Sequence, residues 1–286
     1  MTGRVTAVVS AYYAEEYLDG RIKNLLEQDE HPSIIAIAQK GSKEAEVLAR
    51  YDKVLTILTN DIPGIYEAWN IGIRAAQTPY ITNANCDDRL YPGALKKMAD
   101  ILDKETTYGV VYANQDIVTE IDGNPIGQFK WAEGGLPELM KGCFLGPMPM
   151  WRRQLHDRYG YFDENYKSAG DYEYWLRLAK NGVKFFHVRD WSSGAYLQRN
   201  NSVERREPLR SLWETNNIRM NTGRWCMYKY VGNGWIHGVP ARDLSDEEAK
   251  KYGIKQLLDS GLYVKVIEKS EVNDGNKSVT QDSTRS

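Results

Sequence analysis

The sequence predicts an α/β domain built on a mostly parallel sheet with helices on both faces. Three observations carry that prediction. Short apolar, β-prone runs recur between residues 5 and 118. Segments with near-helical apolar spacing separate them. The strand-like runs are almost continuously apolar, as in strands covered on both sides rather than facing water on one.

"VTAVVSAY" (Val5–Tyr12) reads as a buried strand, and "EEYLDGRIKNLLEQ" follows with Tyr17, Ile22, Leu25 and Leu26 at helical intervals. "SIIAIAQ" (Ser33–Gln39) is a second strand and "KEAEVLARY" a helix. "KVLTILTN" (Lys53–Asn60) is a third strand, "IYEAWNIGIRAAQ" (Ile65–Gln77) a helix, "PYITNA" a fourth strand, and "LYPGALKKMADIL" a helix. "YGVVYANQDIV" is a further strand, and "GGLPELMKGCFLGPMPMW" reads as one long Gly-, Pro- and Met-rich loop. "GDYEYWLRLAKNG" is a helix with Tyr172, Trp175, Leu176 and Ala179 on one face and Gly182 placed for its C-terminal cap. Open sheets of this kind bind ligands beyond the carboxyl ends of their strands, which is where Tyr12, Gln39 and Asp87 fall.

Composition narrows the classes. The chain has 286 residues, 42% hydrophobic and 27% charged, with net charge −2 and pI about 6.2. That is enough chain for a sizeable core, and the charge gives no overall field toward nucleic acid. Cys86, Cys143 and Cys226 are odd in number and far apart, with neither zinc spacing nor a disulfide framework. No secretory leader or membrane-length apolar run is present, so a reducing, cytoplasmic setting is expected. We place a main domain at residues 1–222, a small module at 223–268, and a polar, aromatic-free tail at 269–286. Within the module, Ser245 and Glu248 form a capping-box pattern.

Several residues carry chemistry. "NANCDDRL" puts Asp87 and Asp88 side by side after the fourth strand. Adjacent carboxylates repel and need a partner. A divalent cation shared with substrate phosphates and the N-terminal cap of a helix both satisfy them, and the residues alone leave the two readings level. Asp171, just before an amphipathic helix, is by itself most simply a cap. Its functional reading is a general base. "QKGS" reads as a turn. The four histidines show no ligand spacing, and Trp131, Trp151 and Trp191 are core residues by default, although tryptophan faces also stack on sugar rings.

Taken together, these segments resemble the family-2 inverting glycosyltransferases of the GT-A fold. "VVSAYYAEEYLDGRIKNLLEQ" is similar to the family's opening strand and helix, and "PGIYEAWNIGIRAAQTPYITNANCDD" to its G-I-Y-D-A-M-N-x-G-I and L-N-x-D-D patterns. "YGYFDENYKSAGDYEYWLRLAKNG" resembles its G-x-F-D-E segment followed by an acid and W-L-R. The order and spacing agree over about the first 200 residues.

The resemblance implies a nucleotide-diphosphate sugar donor, most simply a UDP-sugar, and an acceptor hydroxyl on a glycan, a protein or, less favoured, a modified DNA base. It implies a divalent metal, Mn2+ or Mg2+, held by Asp87 and Asp88, and Asp171 as the base, with Glu173 the alternative. Ser10, Ala11, Tyr12, Gln39, Tyr66, Asn70, Asn85 and Asp87 line the donor site. The sequence departs from the family at three places. Gln39 and Lys40 stand where many relatives carry acids that meet the nucleobase. Asn85 stands for the first aspartate of the usual motif. Gln198, Arg199 and Asn200 stand where many relatives have a metal-binding histidine, and Arg199 is assigned to the diphosphate. A binding protein without catalysis and a nucleotidyltransferase are the rivals. The latter lacks its glycine-rich basic loop in "SAYYAEE". The module after 222 is similar to short modules of phage structural proteins, which suggests a phage origin and a docking role.

Overall fold

The computed structural model describes residues 3–199, then 207, 210, 211, 214, 215, 217, 218, 227–231 and 234–239. The chain divides into two units, 1–200 and 201–286. The boundaries expected at 223 and 269, the capping box at Ser245 and the tail lie outside the described residues. In the second unit, β10 (Met227–Val231) and β11 (Gly234–Val239) pair as an antiparallel hairpin.

The first unit opens with β1 (Val5–Ala11), α1 (Glu15–Leu26), β2 (Ser33–Gln39), α2 (Lys43–Leu48), β3 (Val54–Thr59), α3 (Ile65–Ala75) and β4 (Tyr80–Asn83). The four strands are parallel in the order β3-β2-β1-β4. The carboxyl ends of β1, β2 and β3 lie nearly level, with Gln39 opposite Thr59 and Ala11 opposite Ala38, while β4 ends earlier, Asn83 lying opposite Val8. Alternate residues of β1 face opposite sides. Val5, Ala7, Val9 and Ala11 join the main core with Leu18, Ile22 and Leu25 of α1. Val8 faces α3, where Gly72 makes the approach possible: a Cβ there would lie 2.4 Å from Val8 and 3.0 Å from Ile37. Both faces are covered, as predicted.

Beyond Asn83 come β5 (Arg89–Leu90), α4 (Ala94–Lys104), β6 (Tyr108–Val118), β7 (Gly127–Phe129), α5 (Leu136–Leu139), β8 (Met150–Arg152), α6 (Gln154–Tyr159), α7 (Gly170–Lys180) and β9 (Lys184–Leu197). The sheet continues β4-β8-β6-β9-β5, with β7 also on β6. β8 is antiparallel to both β4 and β6, and β9 is parallel to β6.

Two expectations need correction here. The segment read as one long loop contains α5 and β8, and β8 joins the two halves of the sheet. Three residues among Pro and Met carry no alternating pattern to announce it. The 14-residue β9 went unread because its pattern is broken at "VRDW": Asp190 sits at φ 53°, and the β6–β9 register shifts at Ala113/Asn114. No helix among the described residues is long and apolar enough to cross a membrane.

Candidate active site

The turn after β4 answers what the adjacent aspartates do. No helix starts there, since α4 begins at Ala94, so the capping reading fails for Asp87 and Asp88. Their environments differ sharply. Asp88 is 1% exposed, its Oδ1 accepting from the Leu197 N–H (3.4 Å) and its Oδ2 from Asn85 Nδ2 (3.3 Å). Asp87 keeps 18% side-chain exposure and forms an ion pair with Arg199, whose guanidinium also lies over the Tyr17 ring. Of the two expected metal ligands, Asp88 has both oxygens engaged inside the fold, and Asp87 is the more accessible carboxylate.

Two arginines that the sequence reading missed support this turn. Arg21 is fully buried and donates through Nη1 to the Asp88 carbonyl (3.2 Å) and to Asn24 Oδ1 (3.0 Å). Burial pulls its pKa down to about 10, with the Asp88 charge opposing, so it stays cationic at neutral pH. Burial and the neighbouring Asp87 push the Asp88 carboxyl well above the usual range, with Arg21 pulling it back. A buried charge of either sign is costly without the other. Arg89 donates to the carbonyls of Cys86 (2.8 Å), Asp88 (2.8 Å) and Tyr17 (3.3 Å). Arg21 was legible in principle. Leu18, Arg21, Ile22 and Leu25 share the buried face of α1, and a charge in that stripe signals a buried partner. Cys86, beside Ser10, has its thiol pushed up to about 12 by burial.

Ser10, Ala11 and Tyr12 end or follow β1 at the same sheet edge. The Tyr12 hydroxyl bonds Thr59 Oγ1 at 2.8 Å, closing the tips of β1 and β3 across β2. Gln39 at the end of β2 donates to the Asn60 carbonyl (3.3 Å). Tyr13 is 82% exposed at φ 54°. The sheet edge thus gathers Ser10–Tyr12, Gln39 and Asn85–Asp88.

Tyr66 and Asn70 have a different task from the expected donor contacts. They stand four residues apart on one face of α3. Asn70 is fully buried, accepting from the Phe162 N–H (3.0 Å) and donating to the Phe162 carbonyl and Glu164 Oε1 (2.8 Å each). Its amide holds the "GYFDE" segment, with both its oxygen and its nitrogen engaged inside the fold. Tyr66, also buried, donates to Asp171 Oδ1 at 3.1 Å. Its ring lies against Gly170, where a Cβ would come within 2.8 Å of ring carbons, so this glycine permits the contact. Burial and the Asp171 charge raise the Tyr66 pKa well above its ordinary value, keeping the hydroxyl a donor.

Asp171 is half-buried at the second position of α7. Glu173 is tied to Arg177 by bonds of 2.7 and 2.9 Å, and Arg177 also grips the Tyr159 and Tyr161 carbonyls. Behind α7 stands an aromatic cluster of Trp151, Phe162, Tyr174 and Trp175 around His156. His156 accepts the Trp151 indole N–H at Nε2 (2.8 Å) and donates from Nδ1 to the Gly160 carbonyl (3.2 Å). Burial pulls it down to about 4, so it is neutral. Trp151 is core as expected, while Trp131 and Trp191 are only partly buried.

Among the described residues no group of three or more acidic, histidine or cysteine side chains could hold a metal unaided. A metal at Asp87 would draw its other ligands from bound phosphates, the Asn85 carbonyl oxygen and water. Such a donor set suits Mg2+ or Mn2+ in nucleotide sites.

Comparison with known proteins identifies the family and the fold. A glycosyltransferase of Haemophilus influenzae described as uncharacterized is 24% identical over 196 residues, covering 62% of this chain and 61% of that protein. The chain thus spans under two thirds of that relative. A Rickettsia prowazekii relative, 23% identical, covers 92% of this chain and 88% of its own length, and so takes in part of the segment after residue 222. Among solved structures, S. aureus TarS 1–349 in complex with UDP-GlcNAc superposes with a TM-score of 0.62 at 18% identity, over 77% of this chain and 65% of that one. The mannosyltransferase PcManGT from Pyrobaculum calidifontis, with GDP-Man and Mn2+, gives 0.58 at 14% identity, over 78% and 64%. These likenesses show the GT-A fold. The sequence model of glycosyl transferase family 2 matches residues 6–163, more than half of the chain, and the protein belongs to that family.

Proposed function

We propose that the protein transfers a sugar from a nucleotide-diphosphate sugar to an acceptor hydroxyl with inversion. The observation that carries the reading is the Tyr66–Asp171 bond. β3 ends at Thr59 and α3 starts at Ile65, so Tyr66 stands near the carboxyl edge of the sheet, and its hydroxyl brings the Asp171 carboxylate to the side where Asp87 lies. Two acids are thereby set in different roles. Asp87 is paired with a cation. Asp171 sits in the first turn of α7, where the helix dipole favours the ionised form a base requires.

In the reaction, Asp171 takes the proton from the acceptor hydroxyl. The oxygen attacks the anomeric carbon, and the bond to the diphosphate breaks on the opposite face with its electron pair leaving on phosphate. A divalent metal at Asp87, when bound, supplies neutralisation of that charge. Arg199 adds a fixed guanidinium at the same place, suited to phosphate oxygens. Ser10–Tyr12 and Gln39 receive the nucleoside. The TarS complex with UDP-GlcNAc and the PcManGT complex with GDP-Man and Mn2+ support this reading.

The test is a screen of nucleotide sugars by thermal shift with and without Mn2+, followed by release of nucleoside diphosphate from any donor that binds. We expect a metal-dependent rise in melting temperature and slow donor hydrolysis. A protein that no nucleoside diphosphate or nucleotide sugar stabilises, with or without metal, sinks the reading.

A further inference from the structure

The second half of the sheet carries an aromatic shelf that the proposed chemistry does not use. Ile117 lies directly across from Gly127 on one side and Tyr196 on the other, so these residues share one face, which Gln115 and Phe129 extend. Phe129 stacks on Trp131 with ring centroids 5.0 Å apart and meets Tyr196 edge-on at 5.4 Å. All three rings are half-buried, and none belongs to the main core.

The shelf is rigid. The Trp131 indole N–H is held by Gln115 Oε1 and its backbone N–H by Asn114 Oδ1 (3.2 Å). Gly146, at φ 70°, leaves room for the indole, since a Cβ there would approach Nε1 to 2.6 Å. On the reverse face, Asp116 collects Ser192 (2.6 Å), Gln128 (2.9 Å) and Tyr91 (2.7 Å), locking β6, β7 and the segment before β9's end together. Gly127 supplies no side chain, so nothing from that position of β7 covers the half-buried Ile117 beside Phe129. A platform fixed in advance loses little entropy on binding.

Its position points to the occupant. One residue past Tyr196, the Leu197 N–H bonds Asp88, and Arg199 pairs with Asp87. The shelf therefore runs into the proposed diphosphate site along a single strand. Resting on that reading of the site, we propose that Phe129, Trp131 and Tyr196 form the acceptor subsite and that the acceptor is a saccharide. Pyranose rings present apolar C–H faces with hydroxyls at the edge, which matches fixed aromatic faces beside an exposed amide, Gln198. A net charge of −2 gives no comparable attraction for a nucleic-acid acceptor.

Maltotetraose, N-acetylchitotetraose and mannotetraose titrated into the full-length protein test the proposal, read by tryptophan fluorescence and calorimetry. We expect saturable binding of at least one. Phe129→Leu, which keeps apolar bulk but removes the ring face, and Trp131→Ala should weaken it about tenfold or more, in the range of stacking losses. Phe129→Tyr should retain it, and thermal shift by nucleoside diphosphate with Mn2+ should be unchanged in all three. Failure of all three saccharides to bind, or binding that survives both Phe129→Leu and Trp131→Ala, overturns the subsite. If saccharide binds at the shelf but no nucleoside diphosphate or nucleotide sugar binds the wild type, the proposed activity fails and the shelf stands.

Discussion

Between Val5 and Asn83 every strand runs the same way toward one edge, whereas between Arg89 and Leu197 the strands run in both directions, several are short or bent, and long irregular segments join them. The first region offers a ligand mainly strand ends: Ser10–Tyr12, Gln39 and the turn at Asn85–Asp88. The second must hold one carboxylate in place, and it does so through side chains. Tyr66 and Asn70 of α3 reach across to Asp171 and Phe162, and the aromatic cluster around His156 backs α7. The first region's strand ends are therefore set by backbone geometry that many side-chain changes leave intact, while the second depends on particular contacts.

The largest expected effect is on the second region. Asp171→Asn keeps the size of the side chain and its bond from Tyr66 but cannot take a proton. Transfer should fall by roughly 10²-fold or more, with donor affinity and melting temperature close to wild type. Glu173→Gln, whose carboxylate is already spent on Arg177, should leave transfer near normal at some cost in stability. Initial rates for the two variants decide the matter, and the opposite pattern would move the base to Glu173.

The adjacent aspartates test the first region. Asp88→Ala takes the nearby opposite charge from the buried Arg21 guanidinium and leaves the Leu197 N–H and the Asn85 amide without their acceptor, and an unsatisfied buried donor costs about 1–3 kcal/mol. It should register as a loss of stability in urea denaturation. Asp87→Ala should unfold close to wild type yet lose the metal-dependent part of nucleotide affinity. Equal stability of both variants would refute the separation of roles.

Legibility in the sequence followed the same divide. Second-strand bounds Ser33–Gln39 and the Tyr108–Val118 strand were read to the residue, because apolar runs flanked by polar turns mark buried strands. β8 was invisible, since three residues carry no period. β9 was hidden by the left-handed Asp190 in its middle. For the site, residue type pointed to Asp87, Asp88 and Asp171, but type alone does not say which carboxylate is inside. Asp88 is inside because Leu197, from a strand about a hundred residues away, takes one of its oxygens. Asn70 looked like a ligand contact for the same reason: its partner at Phe162 is fixed only by the tertiary fold.

A smaller effect comes from His156. Its folded pKa of about 4 lies below the ordinary 6.5, so the unfolded chain binds the extra proton between those values. Its contribution is fully present above about pH 6.5 and is lost as pH falls toward 4, up to a limit on the order of 3 kcal/mol. His187, also lowered by burial, adds a slope of the same sign, and Asp88, raised, one of opposite sign. The informative quantity is thus the difference between wild type and His156→Phe. The variant should have a flatter melting-temperature profile between pH 6.5 and 4, whatever its absolute stability. Parallel profiles would mean that His156 takes up its proton without leaving the aromatic cluster.

The smallest expected effect is at Gln39, in the tolerant region. Its amide lies half-buried at the end of β2 beside the Tyr12–Thr59 bond, with one weak contact to the Asn60 carbonyl. A primary amide both donates and accepts, so it pairs with the N3–H of uracil through its oxygen or with N3 of cytosine through its nitrogen. A carboxylate in the same position accepts only. Gln39→Glu should therefore keep the uracil contact and lose the one to cytosine N3, moving the UDP:CDP affinity ratio toward UDP. The size is that of one neutral hydrogen bond, about 0.5–1.5 kcal/mol, or roughly two- to tenfold. Competition of UDP and CDP against a fluorescent nucleotide, for wild type and Gln39→Glu side by side, measures the ratio directly. A ratio unchanged by the substitution would place the base away from β2, leaving Ser10–Tyr12 to receive the nucleoside alone.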